Sequence, residues 1–249
     1  MTYCVGLKID KGIVFMSDTR TNAGVDNISV FRKMFHWQVP GERIISLMTA
    51  GNLATTQAVI SKLEERTKHP DERQNSLLEL PTMFQVAVET GKLLREIVHE
   101  TQEVNGQEGS GRFSASIILS GQIAGMEPRL FLIYPEGNFI EASFDTPFFQ
   151  IGETKYGRPI LIRAYDPDMS FEEAIKLLLV SFDSTIKANL SVSLPLDVHV
   201  YDKDALARGR VYRIQQDDPY YDQISAGWGV ALRSAFAGLP PFRFPDPEN

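Results

Sequence analysis

MTYCVGLKIDKGIVFMSDTRTNAGVDNISVFRK forms residues 1–33, and the organisation of the chain can be understood from this segment. Tyr3–Ile9 and Ile13–Ser17 are rich in β-branched and aromatic residues, and Asp10-Lys11-Gly12 lies between them. This pattern predicts a β-hairpin with a short turn. A loop of two or three residues would pair positions whose numbers add up to about 21–23. Thr2 is therefore expected opposite residues 19–21, with Asp18 as a near neighbour.

Thr2 is a candidate nucleophile if Met1 is removed. A threonine hydroxyl is a poor nucleophile at neutral pH and needs a base. The free α-amino group of a terminal residue can take the proton, because its pKa is roughly 7.7–8.0. A small second residue favours removal of the initiator methionine, and threonine is near the upper size limit. In a chain that keeps Met1, Thr2 is blocked.

Asp18 and Lys33 are candidate partners of Thr2. As a cation, Lys33 would favour the threonine alkoxide and lower the pKa of the nearby amine, and Asp18 would hold Lys33 and balance its charge. The hairpin does not fix the position of Lys33. Composition alone favours a simpler alternative, in which Asp18 is a polar strand end and Lys33 is a solvated surface residue.

Composition limits the remaining possibilities. A chain of 249 residues with 43% hydrophobic and 23% charged residues can form one large domain, expected here over residues 1–249. The net charge of −7 argues against a nucleic-acid partner. Cys4 is the single cysteine, which excludes an internal disulfide framework. No apolar run reaches about 18 residues and no signal peptide is recognised, so a cytoplasmic protein without a membrane partner is expected.

Metal and phosphate sites are not expected either. The four histidines are scattered without the spacing of metal ligands, and no cofactor is predicted. Residues 105–111 are rich in glycine but lack the Gly-Lys-Ser/Thr ending of a phosphate-binding loop. Residues 69–75 are expected to form a polar connector.

The rest of the chain alternates between strand and helix patterns. A strand over Arg43–Thr49 runs into Ala50-Gly51-Asn52 and a helix that begins at Leu53. Further elements are expected in this order: a helix over Pro81–Val104, strands over Phe113–Leu119, Leu130–Tyr134, Phe139–Ser143 and Phe148–Ile151, a helix from the capping box at Ser170 to about Ala188, a hairpin of Asp197–Tyr201 with Val211–Gln215, and a C-terminal helix with Ile224, Trp228, Ala231 and Leu232. Clustered strands and paired helices predict an α+β fold in layers.

The first 51 residues resemble the β-type subunits of proteasomes. The resemblance is carried by Thr2, Ser17-Asp18-Thr19-Arg20, Lys33 and Ala50-Gly51. The N-terminal segment is most similar to the bacterial ancestral β-subunit homologues. The resemblance implies the four-layer αββα sandwich of N-terminal-nucleophile hydrolases and self-assembly into a ring or helical homo-oligomer. It also implies that the Gly51 amide forms an oxyanion hole, although a turn glycine without such a role explains that position equally well.

Two positions differ from the β-type pattern. Glu153 lies where many β-type subunits have a serine that supports the nucleophile, and Asn189 lies where they have an aspartate. The nearby supporting serine of the family corresponds to either Ser191 or Ser193, because the register is ambiguous.

The resemblance implies a threonine peptidase that hydrolyses peptide or amide bonds through Thr2. Two alternatives remain open: an amidase or acyl transferase acting on a specialised small amide, and a non-catalytic ring scaffold. The substrate would be a peptide or protein, and the sequence does not decide whether an ATPase partner is needed.

Overall fold

The computed structural model describes residues 2–22, 28–68, 76–105 and 113–244. Its strands are β1 Tyr3–Ile9, β2 Gly12–Asp18, β3 Arg20–Asn22, β4 Ile28–Val30, β5 Met34–Val39, β6 Arg43–Gly51, β7 Ala115–Ile123, β8 Arg129–Ile133, β9 Phe139–Glu141, β10 Phe148–Gly152, β11 Leu196–Asp202 and β12 Arg210–Ile214. Its helices are α1 Leu53–Lys68, α2 Met83–Asn105, α3 Arg158–Ala164, α4 Phe171–Ala188 and α5 Pro219–Ala237. Met1, the predicted connector at 69–75 and the glycine-rich loop from residue 106 lie outside the described residues.

The predicted hairpin is the centre of the first sheet. Strands β1 and β2 pair antiparallel, and Cys4 lies opposite Ser17, which is the register that a two-residue turn requires. The sheet has the strand order β10-β1-β2-β11-β12, so β10 and β11 flank the hairpin on either side. Both ends of this hairpin therefore have neighbours that can fix the first residues of the chain.

The second sheet has the order β5-β6-β7-β8-β9, and all of its neighbouring strands are antiparallel. Its inner face packs on the inner face of the first sheet. The cluster between the sheets contains Phe15 and Ile13 from β2, Met48 from β6, Ile118 from β7 and Tyr201 from β11. Alternating strand residues thus supply a buried apolar layer between two sheets.

Helices cover the outer face of each sheet. Helices α1 and α2 pack on the second sheet through Val59, Leu63 and Leu94, among other buried residues. Helices α3, α4 and α5 cover the first sheet, and Leu178 and Phe182 of α4 are completely buried against it. The order of layers is helix, sheet, sheet, helix, which confirms the predicted αββα sandwich.

Helix α3 and the short β3–β4 pair were not among the predicted elements. Helix α3 has seven residues and a proline in its first turn, and it follows a Gly-rich stretch that favours a turn. The predicted capping box of α4 is confirmed, because the Ser170 side chain accepts from the Glu173 amide and the Glu173 side chain accepts from the Ser170 amide. Within the described residues, the helices are too short or too polar to cross a membrane.

Candidate active site

Thr2 lies at the edge of the first sheet, where β1 and β10 meet. Its carbonyl oxygen accepts a hydrogen bond of 2.7 Å from the Glu153 amide, and the next residue, Tyr3, lies opposite Gly152. Gly152 has a φ of +84°, and a Cβ at this position would lie 1.9 Å from the Thr2 carbonyl oxygen. Only glycine therefore permits this approach of β10 to Thr2.

Asp18 ends β2 and is completely buried. Its Oδ1 accepts hydrogen bonds from the Tyr3 amide at 2.9 Å and from Lys33 Nζ at 2.7 Å. Burial raises the pKa of Asp18, while the nearby Lys33 charge and these hydrogen bonds act in the opposite direction. One carboxylate oxygen thus joins Lys33 to the residue that follows Thr2.

Lys33 lies just before β5 and is only 5% exposed, so the alternative of a solvated surface lysine is wrong. Its ammonium also donates to the Arg20 carbonyl oxygen at 2.6 Å. The Lys33 carbonyl oxygen accepts from the Thr49 amide at 3.0 Å. Both the backbone and the ammonium of Lys33 are therefore fixed by hydrogen bonds.

Gly51 ends β6, immediately before α1. Its φ is +120°, and a Cβ there would lie 2.3 Å from the Ser114 carbonyl oxygen. The side chain of Asn52 accepts from the Thr55 amide at 3.1 Å and so caps the first turn of α1. The junction between strand and helix thus requires glycine for conformational reasons, whatever its amide does.

A cleft of about 1130 Å³ connects these residues, since Thr2, Lys33 and Gly51 all line it. Phe31 and Phe35 provide apolar surface within the same cleft. A hydroxyl, a buried cation and a glycine backbone therefore border one space that is open to solvent. That is the set of groups which acyl transfer from an amide needs.

The chain matches the family model described as proteasome subunit over residues 2–194. The chain belongs to the proteasome subunit family. The match ends before β11, so β11, β12 and α5 follow the matched segment. No curated protein matches the chain.

Solved structures of ancestral β-subunits, called Anbu, are similar to this proteasome-type subunit over nearly its whole length. The Anbu protein from Yersinia bercovieri is 45% identical, with 97% of this chain and 100% of that chain covered and a TM-score of 0.88. A Gly-1 mutant of Anbu from Hyphomicrobium sp. strain MC1 is 46% identical over 98% and 100% of the two chains, with a TM-score of 0.89. The helical assembly of the Anbu complex from Pseudomonas aeruginosa is 43% identical over 99% and 100%, with a TM-score of 0.89. These matches confirm the resemblance and the N-terminal-nucleophile fold.

Ser191 and Ser193 lie between α4 and β11 in this proteasome-type subunit, and both are half-buried. The Ser191 amide donates to Asn189 Oδ1 at 2.9 Å. Neither serine is among the described residues that line the Thr2 cleft. The structure thus brings Thr2, Asp18, Lys33 and Gly51 together, whereas Ser191 and Ser193 lie in the connection between α4 and β11, outside the lining of this cleft.

Sequence reasoning missed three backbone groups of the site: the Tyr3 amide, the Arg20 carbonyl and the close approach of Gly152. The signal for Gly152 was present, since a glycine that directly follows a strand often permits a close backbone contact. The other two groups had no signal, because every residue type carries the same amide and carbonyl. In the described parts of the chain, no group of three or more His, Cys, Asp or Glu side chains could hold a metal ion.

Proposed function

We propose that this chain is a threonine-type amidohydrolase subunit that cleaves peptide or amide bonds through Thr2 after removal of Met1. One observation carries the proposal: Asp18 accepts a hydrogen bond from the amide of the residue next to Thr2, and its buried partner Lys33 lines the same cleft as Thr2. A buried ion pair contributes little net stability, so its presence beside a hydroxyl favours a chemical role.

The proposed reaction has two stages. The free amine of Thr2, through a water molecule, takes the hydroxyl proton while Oγ1 attacks the carbonyl carbon of the amide. The tetrahedral intermediate then expels the amine of the substrate, which receives the proton from the Thr2 ammonium. The acyl part of the substrate remains as an ester on Thr2. Water attacks the ester in the same way, the carboxylic acid leaves and the hydroxyl of Thr2 is restored.

Lys33 and Gly51 have different roles in this scheme. The Lys33 ammonium lowers the free energy of the threonine alkoxide and favours the neutral form of the amine, and Asp18 keeps Lys33 in place. The Gly51 amide holds the oxyanion, a contribution of about 2.7–4 kcal/mol for one such donor. Ser191 and Ser193 do not line the cleft, so we assign them no direct contact with the substrate.

The cleft is lined by apolar and neutral polar side chains and by the exposed cation Arg32, so it offers contacts to apolar, polar and acidic side chains of a peptide. Its walls combine the apolar Phe31, Leu53 and Ile60 with hydroxyl and amide side chains such as Thr21 and Gln57. A specialised amide would use the same chemistry, so unfolded protein, short peptides, and γ-glutamyl or isopeptide amides should be compared as substrates. Preferential cleavage of the γ-glutamyl or isopeptide amides would identify an amidase instead.

We also propose that the chain assembles with copies of itself. The second half of α5 and the following segment expose Val230, Phe236, Leu239, Phe242 and Phe244 to solvent. So many exposed large apolar residues in one segment indicate a contact surface. The Pseudomonas aeruginosa relative is described as a helical assembly, which favours a second copy as the partner.

The function is tested by N-terminal mass and covalent labelling of the protein purified from its native cell. The expected product starts at Thr2 and is labelled by an electrophile directed at terminal threonine. Thr2→Ala should abolish labelling and hydrolysis, whereas Thr67→Ala, near the end of α1, should change neither. Retained Met1 in the cellular product would favour the non-catalytic scaffold, and labelling that persists in Thr2→Ala would exclude Thr2 as the nucleophile.

A further inference from the structure

Glu153 is a second acidic residue whose backbone neighbours Thr2 in the sheet, and the proposed mechanism does not use its carboxylate. Its side chain is nearly buried, with 9% of the residue exposed. Glu153 Oε2 accepts a hydrogen bond of 2.9 Å from Asn189 Nδ2, and Asn189 Oδ1 accepts from the Ser191 amide at 2.9 Å. The loop after α4 therefore fixes Asn189, and Asn189 in turn fixes the carboxylate.

The same residue is bound to Thr2 through its backbone. The Glu153 amide donates to the Thr2 carbonyl oxygen at 2.7 Å. The nitrogen and carbonyl oxygen of one residue are at most about 3.6 Å apart, so the Thr2 nitrogen lies within about 6 Å of the Glu153 nitrogen. A glutamate side chain of ordinary length can span that distance.

Charge balance provides an independent argument. Removal of Met1 creates an ammonium group on Thr2, close to the buried ammonium of Lys33. Asp18 is the carboxylate that balances Lys33, at 2.7 Å. Thr2 is half-buried, so the new ammonium is only partly solvated, and a second carboxylate beside it would offset the repulsion from Lys33.

The other titratable groups around Thr2 do not supply that charge. Asp197 of β11 is paired with Arg213 of β12, with 2.6 Å between Oδ1 and Nε. Burial strongly raises the pKa of the Cys4 thiol, so Cys4 is neutral, and burial raises the pKa of Tyr3 to about 12. Lys187, at the end of α4, is an exposed cation. Arg32, which lines the cleft, is another exposed cation. Asp18 Oδ2 has no hydrogen-bond partner, but the charge of Asp18 is already balanced by Lys33. Among the described residues, Glu153 is therefore the acidic group that remains for the amine.

We propose that Glu153, held by Asn189, is a positioning residue that binds the α-amino group of Thr2 in the processed protein. This inference rests on the proposed role of Thr2. The carboxylate orients the amine towards the threonine hydroxyl and raises the pKa of the amine, whereas Lys33 lowers it. The balance keeps the base near neutral pH, where a general base is most effective.

The test is the pH dependence of kcat/KM in the processed, assembled protein. The amine acts as a base above its pKa, so loss of the carboxylate should move the acidic limb of the profile to lower pH. For Glu153→Gln we expect a shift of about one pH unit. Asp183→Asn is the matched control, because Asp183 is also a buried carboxylate with a neutral donor, the Tyr221 hydroxyl at 3.2 Å. An unchanged acidic limb in Glu153→Gln overturns the proposal.

A second measurement can be made on protein that has no enzymatic activity. The pKa of the Thr2 amine can be obtained from the pH dependence of its acetylation by acetic anhydride, followed by mass spectrometry of the N-terminal peptide. A lower amine pKa in Glu153→Gln supports the inference even if wild-type protein hydrolyses nothing, in which case the proposed function alone fails. If Glu153→Gln does not fold, Glu153→Ala replaces it, since that change also removes the carboxylate. An unchanged amine pKa in the variant that folds overturns the inference.

Discussion

Lys33 Nζ lies 2.7 Å from Asp18 Oδ1, and the two residues are 5% and 0% exposed. Both charges have lost most of their water, and each depends on the other and on backbone groups for compensation. The desolvation cost of such a pair is similar to its Coulomb energy, so the pair itself adds little stability. Removal of one partner is different, because the other charge remains buried.

The first prediction concerns the effect of removing one charge of the Lys33–Asp18 pair. Lys33→Met should abolish labelling of Thr2 and lower the free energy of unfolding by about 3–5 kcal/mol, because Asp18 is left unpaired. The double variant with Asp18→Asn should recover part of that stability but none of the activity. Urea denaturation gives the stabilities. Lys92→Met, which removes an exposed pair with Glu89, is the control and should cost at most about 1 kcal/mol. A double variant no more stable than Lys33→Met would contradict this account of the pair.

The position of Lys33 is a feature of the site that the local sequence pattern does not predict. The turn at Asp10-Lys11-Gly12 fixes the register of β1 and β2, so the closeness of Asp18 to residue 3 could be predicted from local pattern alone. Lys33 reaches Asp18 because the chain passes through β3 and β4 and returns before β5. The periodicity of apolar residues predicts strands and helices, but it does not predict that the chain returns to Asp18 after β4. Only the resemblance to proteasome β-type subunits placed Lys33 in the site.

Gly51 gives the second prediction. Gly51→Ala should be destabilising, because its φ is +120° and the new Cβ would lie 2.3 Å from the Ser114 carbonyl oxygen. Alanine keeps the backbone N–H, but the strain should shift it. If the Gly51 amide binds the oxyanion, this displacement should lower kcat by up to about 10²–10³-fold in protein that remains folded. Gly41→Ala is a suitable control, since Gly41 has a φ of +78° but its added Cβ would meet nothing within 4 Å. Full kcat in folded Gly51→Ala would contradict the expectation that catalysis depends on the strained backbone at this position.

The third prediction concerns a histidine pair that the sequence did not reveal. The histidines are far apart in sequence, but the rings of His36 and His199 lie 4.2 Å apart between the two sheets. The Ser46 hydroxyl bridges them, at 3.0 Å from His36 Nδ1 and 3.3 Å from His199 Nδ1. Burial lowers the pKa of His36 to about 4 and that of His199 to about 2. Pairing across two sheets depends on tertiary structure, which explains why it could not be predicted.

The lowered pKa values of the two histidines determine how the stability of the protein changes with pH. Unfolded histidine takes up a proton near pH 6.5. Between that pH and about 4, the unfolded chain binds protons that the folded one does not, so stability falls as the pH falls. In this window each histidine lowers the free energy of unfolding by about 1.4 kcal/mol for each unit by which the pH falls. Above pH 6.5 both histidines are mostly neutral in the folded and unfolded states, so neither lowers the stability there.

Replacement of His199 should therefore reduce the acid sensitivity. His199→Gln should lower the free energy of unfolding at pH 7.5. Between pH 6.5 and 4.5 this free energy should decrease less steeply than in wild type, by the slope that corresponds to about one proton, as measured by urea titrations at several pH values. His99→Gln removes an exposed histidine of α2 and should leave the slope unchanged. Burial raises the pKa of Asp18 in every variant, so comparison with wild type cancels its contribution. Identical slopes for wild type and His199→Gln would refute the buried neutral pair.

The fourth prediction concerns assembly through the C-terminal segment. The stripe of Ile224, Trp228, Ala231 and Leu232 predicted a packed helix, but only the first half of α5 is buried against α4, and Leu232 is 48% exposed. Phe236, further along α5, is 77% exposed, and a second copy that covers it would gain about 1.5–3 kcal/mol for the side chain. Phe236→Glu should therefore reduce the mass of the assembly in analytical ultracentrifugation, while circular dichroism remains unchanged. Phe144→Glu is the matched control, because Phe144 is 89% exposed in the β9–β10 connection. Within the described residues, several large exposed apolar side chains lie along α5 and the segment after it. Equal loss of assembly in both variants would therefore show that added charge, and not the α5 surface, is responsible.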